Sequence, residues 1–314
     1  MRRGLILQAA LVAALAALAG FLAWNTAQNL ESRRIASGFA FLWREAGFEI
    51  GETAFFAYSA ADSYLRALAI GLANTFRVAA IGIVLATLLG TLLGLARLAP
   101  NWLLAKLAAA YVEVMRNVPL LVQLFFWYAI ISEVLPGPRE ALNPLPGVFL
   151  SNRGIAFPLP GSTPELTGFN FTGGASLSPE FAALLVGLVS YTAAFIAEIV
   201  RAGILSVPRG QFEAAESLGL GRRDAMRQVI LPQALRMIVP PLTSQFLNLT
   251  KNSSLAVAIG YPDLVSIANT TMNQTGQAIE GIAIIMAVYL TISLSISAFM
   301  NWYNRRVALK GLRG

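Results

Sequence analysis

The sequence predicts an all-α integral membrane protein with about six transmembrane helices. Its 314 residues are 56% hydrophobic and 12% charged, with a mean hydropathy of +0.64, which is too apolar and too poor in charge for a soluble domain. Several uncharged stretches are long enough to cross a hydrocarbon core of about 30 Å. Between two of them lies a polar segment at 206–235. A bundle of membrane helices with a polar connection in its second half is therefore the expected architecture.

The residue types that the chain lacks exclude several function classes. It contains no cysteine and no histidine, which removes thiolate metal sites, the commonest metal ligand and the usual near-neutral general base. No G-x-x-x-x-G-K-[ST] motif occurs, so the chain is not expected to bind ATP phosphates in a Walker-type loop. We predict no catalytic residue, no metal site and no cofactor in this chain.

Residues 1–66 are predicted to form an N-terminal transmembrane helix and an external loop. The helix is Gly4–Trp24, behind Arg2-Arg3. A cleaved signal peptide is the alternative, because Ala17-Leu18-Ala19 resembles a cleavage site, but we expect a retained span. Residues 25–66 mix aromatic and charged side chains, which predicts a short amphipathic helix on the membrane surface.

The core is predicted at 67–303, beginning with the second span, Ala67–Leu98. Gly82, Gly90 and Gly94 lie near one face of this span, so another helix is expected to approach it closely.

The middle of the core is predicted to hold one span and one long loop. An interfacial amphipathic helix, Leu107–Arg116, precedes the third span, Val118–Val134, with a bend at Val118-Pro119. The next segment, 135–177, contains seven prolines. We interpret it as an irregular external insert, of a length that is usually functional or disordered.

The remaining spans are predicted at Phe181–Leu205, Arg236–Gly260 and Gly281–Tyr303. The fifth is unusually polar, and Pro240-Pro241 are expected to disturb its backbone. Residues 261–280 are interpreted as a short polar segment outside the membrane, and residues 304–314 as a basic cytoplasmic tail.

The polar segment 206–235 is predicted to form a hairpin of two short helices. Pro208 suits a first helical turn. Phe212, Ala215 and Leu218 then repeat at helical spacing and predict an apolar stripe. Gly219 supplies a residue that can take positive φ after a helix end.

The second helix of this hairpin is predicted to start at Gly221, with Asp224 in its first turn. Its apolar face is expected to carry Met226, Val229 and Ile230, and Pro232 is expected to end it. A hairpin of this kind between membrane spans is typical of a docking surface. We call residues 206–235 the polar hairpin.

The distribution of basic residues predicts the orientation of the chain. Cytoplasmic loops carry an excess of lysine and arginine. If both termini, the turn at 97–116 and the segment 201–236 lie inside, fifteen of the 23 basic residues fall on that side. The expected localisation is therefore a bacterial inner membrane, with several spans and both termini in the cytoplasm.

The polar hairpin resembles the EAA loop of ATP-binding-cassette importer permeases. The matching elements are Glu213-Ala214-Ala215, Gly219, Val229 and Leu231-Pro232, with valine where the family usually has isoleucine. The resemblance implies a type I (MetI-like) permease core of five helices, here preceded by one N-terminal helix. It also implies that these residues couple the chain to a dimer of separate ATPase subunits, which would hold Mg-ATP, and that this chain is a transport subunit and not an enzyme.

Three further stretches resemble the polar-amino-acid branch of these permeases. They are Tyr111–Tyr128, Ser190–Ile204 and Leu249–Gly260. The insert and the additional N-terminal span are most similar to the general L-amino-acid permeases. This resemblance implies uptake of polar or general L-amino acids from a periplasmic binding protein by alternating access. It also implies a second permease chain, more often a related one than a second copy.

Polar side chains in the predicted spans are candidates for a substrate path, because polar groups inside a membrane usually face a cavity. Arg77 could bind a carboxylate, or else pair within the protein. Glu198 could bind an ammonium group, or else pair with Arg201 one turn away. The remaining candidates, which could instead bond within the bundle, are Asn248, Thr250, Ser253 and Ser254. Lys251 is expected at the outer mouth.

Other functions remain open to the sequence. An importer of the same superfamily for another small solute would share the EAA loop. A channel or gradient-driven carrier is the alternative from a different class, but it needs no cytoplasmic docking hairpin and more often has buried acidic residues. Nucleic acid is not an expected partner, because the basic residues are spread over short loops.

Overall fold

The computed structural model describes residues 2–32, 37–53 and 56–307, and helices dominate it. The helices of these ranges are α1 Arg2–Ser32, α2 Tyr64–Ala96, α3 Trp102–Asn117, α4 Leu120–Ala129, α5 Pro179–Leu205, α6 Arg209–Ser217, α7 Arg222–Ala225, α8 Leu231–Asn252, α9 Leu264–Thr275 and α10 Ala278–Val307. A π-helical turn follows α4 at Ile130–Val134 and another follows α7 at Met226–Ile230, and 3-10 turns lie at Phe39–Trp43, Pro138–Glu140 and Ser253–Ile259.

Four of the described helices, α1, α2, α5 and α10, are long and apolar enough to cross a membrane. α3 and the segment of α4 pass the same test only as a pair bent by 104°, which is the geometry of a broken span or of a re-entrant loop, and the bend at Val118-Pro119 is thereby confirmed. α8 occupies the predicted fifth span but is too polar to pass. The structure is consistent with about six membrane helices when α8 is counted.

α5 lies at the centre of the bundle. In its most apolar window 61% of the residues are buried, compared with 6% in α10 and none in α1. Without hydrophobic stabilisation in lipid, helix association depends on close packing. A Cβ on Gly90 of α2 would lie 2.6 Å from Cβ of Ile196, and one on Gly94 would lie 2.8 Å from the carbonyl oxygen of Ala197. The predicted close approach is therefore confirmed, and α5 is the partner.

α4 and α8 also approach α5 closely, in both cases at a glycine of α5. A Cβ on Gly187 would lie 2.6 Å from Leu124 in α4, and one on Gly203 would lie 2.3 Å from Ile238 in α8. α5 therefore packs tightly against α2, α4 and α8.

The segment before α2 is folded onto the bundle. We call residues 37–53 the strap. The prediction of an amphipathic helix on the membrane surface was wrong, because the only helical part of the strap is the short 3-10 turn and its Phe41 is 1% exposed, packed against Tyr64. α1 also continues to Ser32, past the predicted end at Trp24.

The insert, residues 135–177, is an ordered β structure and not an irregular loop. Its strands are β1 Leu142–Leu145, β2 Val148–Ser151, β3 Gly154–Phe157, β4 Glu165–Thr167, β5 Asn170–Thr172 and β6 Ala175–Leu177. They form an antiparallel sheet in the order β1-β2-β3-β6 and a separate hairpin of β4 and β5. The stacked rings of Phe149 and Phe171, 4.6 Å apart, join the two.

Two predictions around α8 were wrong in detail. Pro232 does not end a helix, because α8 begins at Leu231, directly after the π-helical turn Met226–Ile230, and continues past Pro232. Pro240-Pro241 lie inside α8, which continues to Asn252, so the α-helix ends there instead. The segment 261–280 is mostly α9, whose Leu264 and Ile267 pack against the strap and α2.

Candidate functional site

The two ends of α5 carry the candidate sites. We call them the hairpin end, where α5 runs into the polar hairpin, and the insert end, where α5 starts after the insert. α5 has 27 residues and therefore separates the two ends by roughly 40 Å.

The first helix of the polar hairpin is α6, and it presents one face to the bundle. Ala215 is 3% exposed, and the half-buried Phe212 packs against the apolar cluster that contains Ile204 at the end of α5. Glu213 and Ala214 are exposed. The predicted stripe is only partly correct, because Leu218 is 82% exposed. An exposed leucine at the tip of a helix leaves apolar surface available to another protein.

The turn of the polar hairpin is fixed by Gly219. Its φ is +78°. The N–H of Leu220 donates to the carbonyl oxygen of Ala215, and the N–H of Gly219 donates to that of Glu216. These two hydrogen bonds form a Schellman motif, which needs a left-handed residue at this position. A Cβ on Gly219 would meet no atom within 4 Å, so a side chain there would point away from this chain.

The second half of the polar hairpin anchors it to α8. Ile230 is fully buried, and Met226 and Val229 are half-buried in the same cluster, so their predicted shared face is confirmed. Leu231 and Pro232 are exposed. Since α7 continues through the π-helical turn into α8, the hairpin and α8 move as connected elements.

At the insert end, Glu52 of the strap binds two helices. Its carboxylate pairs with Arg77 of α2 and accepts a hydrogen bond of 2.6 Å from Oγ of Ser178, the N-cap of α5. The guanidinium of Arg77 also lies 4.2 Å from the ring centre of Phe181. We call Glu52, Arg77 and Ser178 the Glu52 network. Arg77 thus has a partner within the chain, and its role in a substrate path stays a prediction.

The Glu52 network also shows how far α2 extends past α5 along the helix axis. Arg77 lies level with the start of α5, and residues 77–96 of α2 are roughly 30 Å long. This length equals the thickness of a hydrocarbon core. The part of α2 before Arg77 therefore extends beyond the start of α5, alongside the strap and α9.

The strap is held by further hydrogen bonds. Tyr58, just after it, donates from its hydroxyl to the carbonyl oxygen of Phe48. Burial, followed by the nearby carboxylates of Asp62 and Glu49, raises the pKa of Tyr58, so the hydroxyl stays a donor at neutral pH. At the other end of the strap, the amide of Gln277 donates to the carbonyl oxygen of Gly38.

Glu198 lies in an ion cluster near the hairpin end. It pairs with Arg201 on its own helix, at 2.6 Å, and also with Arg97 at the end of α2. The pair with Arg201 was one of the two alternatives from the sequence. Arg97 was missed, because no local pattern relates residues 101 positions apart. The cluster joins α2 to α5 close to the polar hairpin.

The hydroxyl groups at the end of α8 and in the 3-10 turn that follows it are bonded to nearby backbone. The hydroxyls of Thr250, Ser253 and Ser254 donate to the carbonyl oxygens of Phe246, Thr250 and Lys251. Thr250 and Ser253 are also buried, whereas Asn248 and Lys251 are exposed. The structure does not bring these residues together with Arg77 or Glu198 in one cavity.

The chain was compared with known proteins. The model of the family "Binding-protein-dependent transport system inner membrane component" matches residues 82–309. The putative amino-acid ABC transporter permease protein YhdX of Escherichia coli is 46% identical over 98% of this chain and 94% of its own length. The general L-amino acid transport system permease protein AapQ of Rhizobium johnstonii is 44% identical over 93% and 90%.

Several solved structures have a similar fold, and one of them is of an amino acid ABC transporter. It is a crystal structure of an amino acid ABC transporter with histidines, 29% identical to this chain. The TM-score is 0.60, and the match covers 77% of this chain and 95% of the other.

Proposed function

The chain belongs to the family of binding-protein-dependent transport system inner membrane components, and from this membership we propose that it is the membrane-spanning subunit of an ATP-driven importer. The observation that carries the proposal is the polar hairpin. Its apolar residues Phe212 and Ile230 pack in one cluster with Ile204 of α5 and Ile238 of α8, while Glu213, Leu218 and Gly219 stay exposed. The hairpin is therefore fixed to the bundle on one side and free to contact a separate ATPase on the other.

The proposed mechanism uses the packing of α5. ATP binding and hydrolysis occur on the partner ATPase chains, which hold Mg-ATP. Movement of these chains displaces the polar hairpin, and the displacement passes to α5 and α8 through Ile204, Ile230 and Ile238. Because α5 is packed against α2 at Gly90 and Gly94, the bundle responds as a rigid unit and opens alternately to the two sides.

We propose L-amino acids as the cargo. The support is that YhdX and AapQ, both similar to this chain along almost its whole length, are named as amino-acid permeases. A fold alone gives no substrate, so the cargo requires measurement. A periplasmic binding protein would deliver it to the insert end.

We further propose a partner and an orientation. A second, related permease chain completes the path, and the inner membrane holds the complex with both termini in the cytoplasm. The excess of basic residues at the hairpin end supports this orientation. Two single-cysteine variants, Gly210→Cys and Gly161→Cys, treated with a membrane-impermeant thiol reagent, would test it. Labelling from outside is expected only at Gly161, and the opposite result would reverse the topology.

The importer function is tested by uptake into proteoliposomes. The permease chains are reconstituted with ATPase and binding protein, and uptake of radiolabelled amino acids is measured with ATP or with a non-hydrolysable analogue. Uptake is expected with ATP and not with the analogue. It is also expected to continue when ionophores dissipate the proton and sodium gradients. Uptake without ATPase, driven by either gradient, would identify a carrier instead.

A further inference from the structure

A polar cavity of about 560 Å³ lies at the insert end. It is enclosed by the strap, the β2–β3 turn of the insert and the ends of α4 and α5 that face the insert. A neighbouring cavity of about 430 Å³ shares Glu52, Ser178 and Glu180 with it. The size lies within the range of roughly 300–1,000 Å³ typical of small-molecule sites. We call the larger one the insert cavity. The lining residues used below are Tyr128, Asn152, Arg153, Ser176 and Glu180.

The fold holds the walls of the insert cavity in place. The β2–β3 turn lies against the chain entering α5, because a Cβ on Gly154 would come within 1.9 Å of the carbonyl oxygen of Leu177. Gly154 also has φ +106°. Arg153 is the residue before it. Glu180 lies in the first turn of α5, so the close approach brings the side of the turn that carries Arg153 next to Glu180.

Two opposite charges line this cavity without neutralising each other. Within the part of the chain that the structure describes, Arg153 and Glu180 form no ion pair with each other or with any other residue. The charge of Glu52, by contrast, is balanced by Arg77. Glu180 accepts a hydrogen bond of 3.2 Å from the hydroxyl of Tyr128. Oδ1 of Asn152 is buried and has no hydrogen-bond partner among the described residues.

We infer that the insert cavity is a binding subsite for a free amino acid, with Arg153 binding the α-carboxylate and Glu180 the α-ammonium group. A ligand with only one of these charges would leave the other protein charge without a partner. Tyr128 would support Glu180, and Oδ1 of Asn152 could accept from the ammonium group. The choice of an amino acid rests on the proposed function. The subsite holds the amino acid at the insert end of the bundle, before it passes between the helices.

The absence of cysteine from the sequence permits a direct test. Ser176→Cys places one thiol in the lining of the insert cavity, and the full chain, in complex with its partner subunits in lipid nanodiscs, is labelled with a maleimide. L-alanine and a panel of other L-amino acids are the probes. At ten times its Kd, a protecting amino acid is expected to slow labelling by about tenfold. Ethylamine and propionate, which each carry one of the two charges, should not slow it. Glu165→Cys, exposed on the insert outside the cavity, is the control thiol.

Variants of the charged residues complete the test. Arg153→Gln and Glu180→Gln, each combined with Ser176→Cys, are expected to raise the amino-acid concentration needed for protection roughly 10- to 100-fold, as loss of a charged hydrogen bond would. Arg153→Lys keeps the charge and should retain part of the protection, which excludes misfolding as the cause. Arg139→Gln, an arginine of the insert that lies over Phe169, should have no effect.

The outcomes separate this inference from the proposed function. Protection by no amino acid, or equal protection by propionate, would overturn the subsite. If ATP-driven uptake of amino acids is nevertheless measured in the same complex, the importer function stands. If protection occurs but no amino acid is taken up under any condition, the importer function fails and the subsite holds.

Discussion

The polar side chains of the Glu52 network, at one end of α5, are bonded within the chain, whereas those of the polar hairpin, at the other end, are exposed. At the insert end, Glu52, Arg77 and Ser178 bond to one another, and the side chains of the ion pair are only 16–17% exposed. At the hairpin end, Glu213, Arg222 and Arg223 are exposed and form no ion pair within the described ranges. The charges of the Glu52 network are therefore neutralised within the chain, whereas the polar hairpin presents charges that another protein can contact.

Two glycines of similar conformation, one in the polar hairpin and one in the insert, allow the two regions to be compared directly. Gly219 in the polar hairpin has φ +78°, and Gly168 in the insert has φ +67°. A Cβ at either position would meet no atom within 4 Å. A difference in the effect of one substitution at these two positions therefore reports contacts outside the chain, and not damage within it.

The largest expected effect on uptake comes from placing valine at these two positions. Both variants strain the backbone, since a β-branched residue is disfavoured at positive φ. Gly219→Val should also obstruct the ATPase and lower ATP-driven uptake by about tenfold or more, equal to about 1.4 kcal/mol of coupling energy. Gly168→Val should leave uptake within about twofold of the unsubstituted protein. Uptake and ATPase co-purification measure the two; an equal loss in both would refute docking at the polar hairpin.

The next effect concerns stability at the insert end. Arg77→Gln leaves Glu52 largely buried without its cation and should lower the free energy of unfolding by roughly 2–3 kcal/mol. The double variant Glu52→Gln, Arg77→Gln should recover most of this loss, because it removes both charges. Thermal unfolding in detergent measures the change. ATPase association, which depends on the other end, should not change.

The control for this stability prediction is an exposed ion pair. Arg66→Gln breaks the pair with Asp62, in which the arginine side chain is 51% exposed, and should cost no more than about 1 kcal/mol. A cost as large as that of Arg77→Gln would mean that burial does not distinguish the two pairs.

The smallest effects come from alanine at two glycines of the polar hairpin. Gly210 lies inside α6, and Gly219 lies in the left-handed turn after it; both are exposed with open space around them. Gly210→Ala should stabilise the chain by roughly 0.5–1 kcal/mol, since alanine favours a helix. Gly219→Ala should destabilise it by about 1–2 kcal/mol because of its positive φ. If both substitutions changed the stability in the same direction, the left-handed turn at Gly219 would be contradicted. Chemical unfolding of the purified chain measures them.

The candidate sites were predictable from the sequence to different degrees. The polar hairpin was located with its turn at Gly219 because its residues interact over short separations along the chain. Arg77 and Glu198 were recognised as unusual, but their partners Glu52 and Arg97 were not, since nothing in a local pattern indicates which distant charge will be adjacent. The insert was misjudged because prolines and glycines are equally typical of irregular loops and of tight turns between short strands.

The sequence alone determined the membrane class, the approximate number of helices and the position of the polar hairpin. These follow from hydropathy, residue spacing and charge along the chain, which are local properties of an extended polymer in lipid and water. The tertiary structure decided which helix is central, which charges are neutralised within the chain and which face a cavity. These depend on distances between residues far apart in sequence, and such distances exist only once the helices have packed.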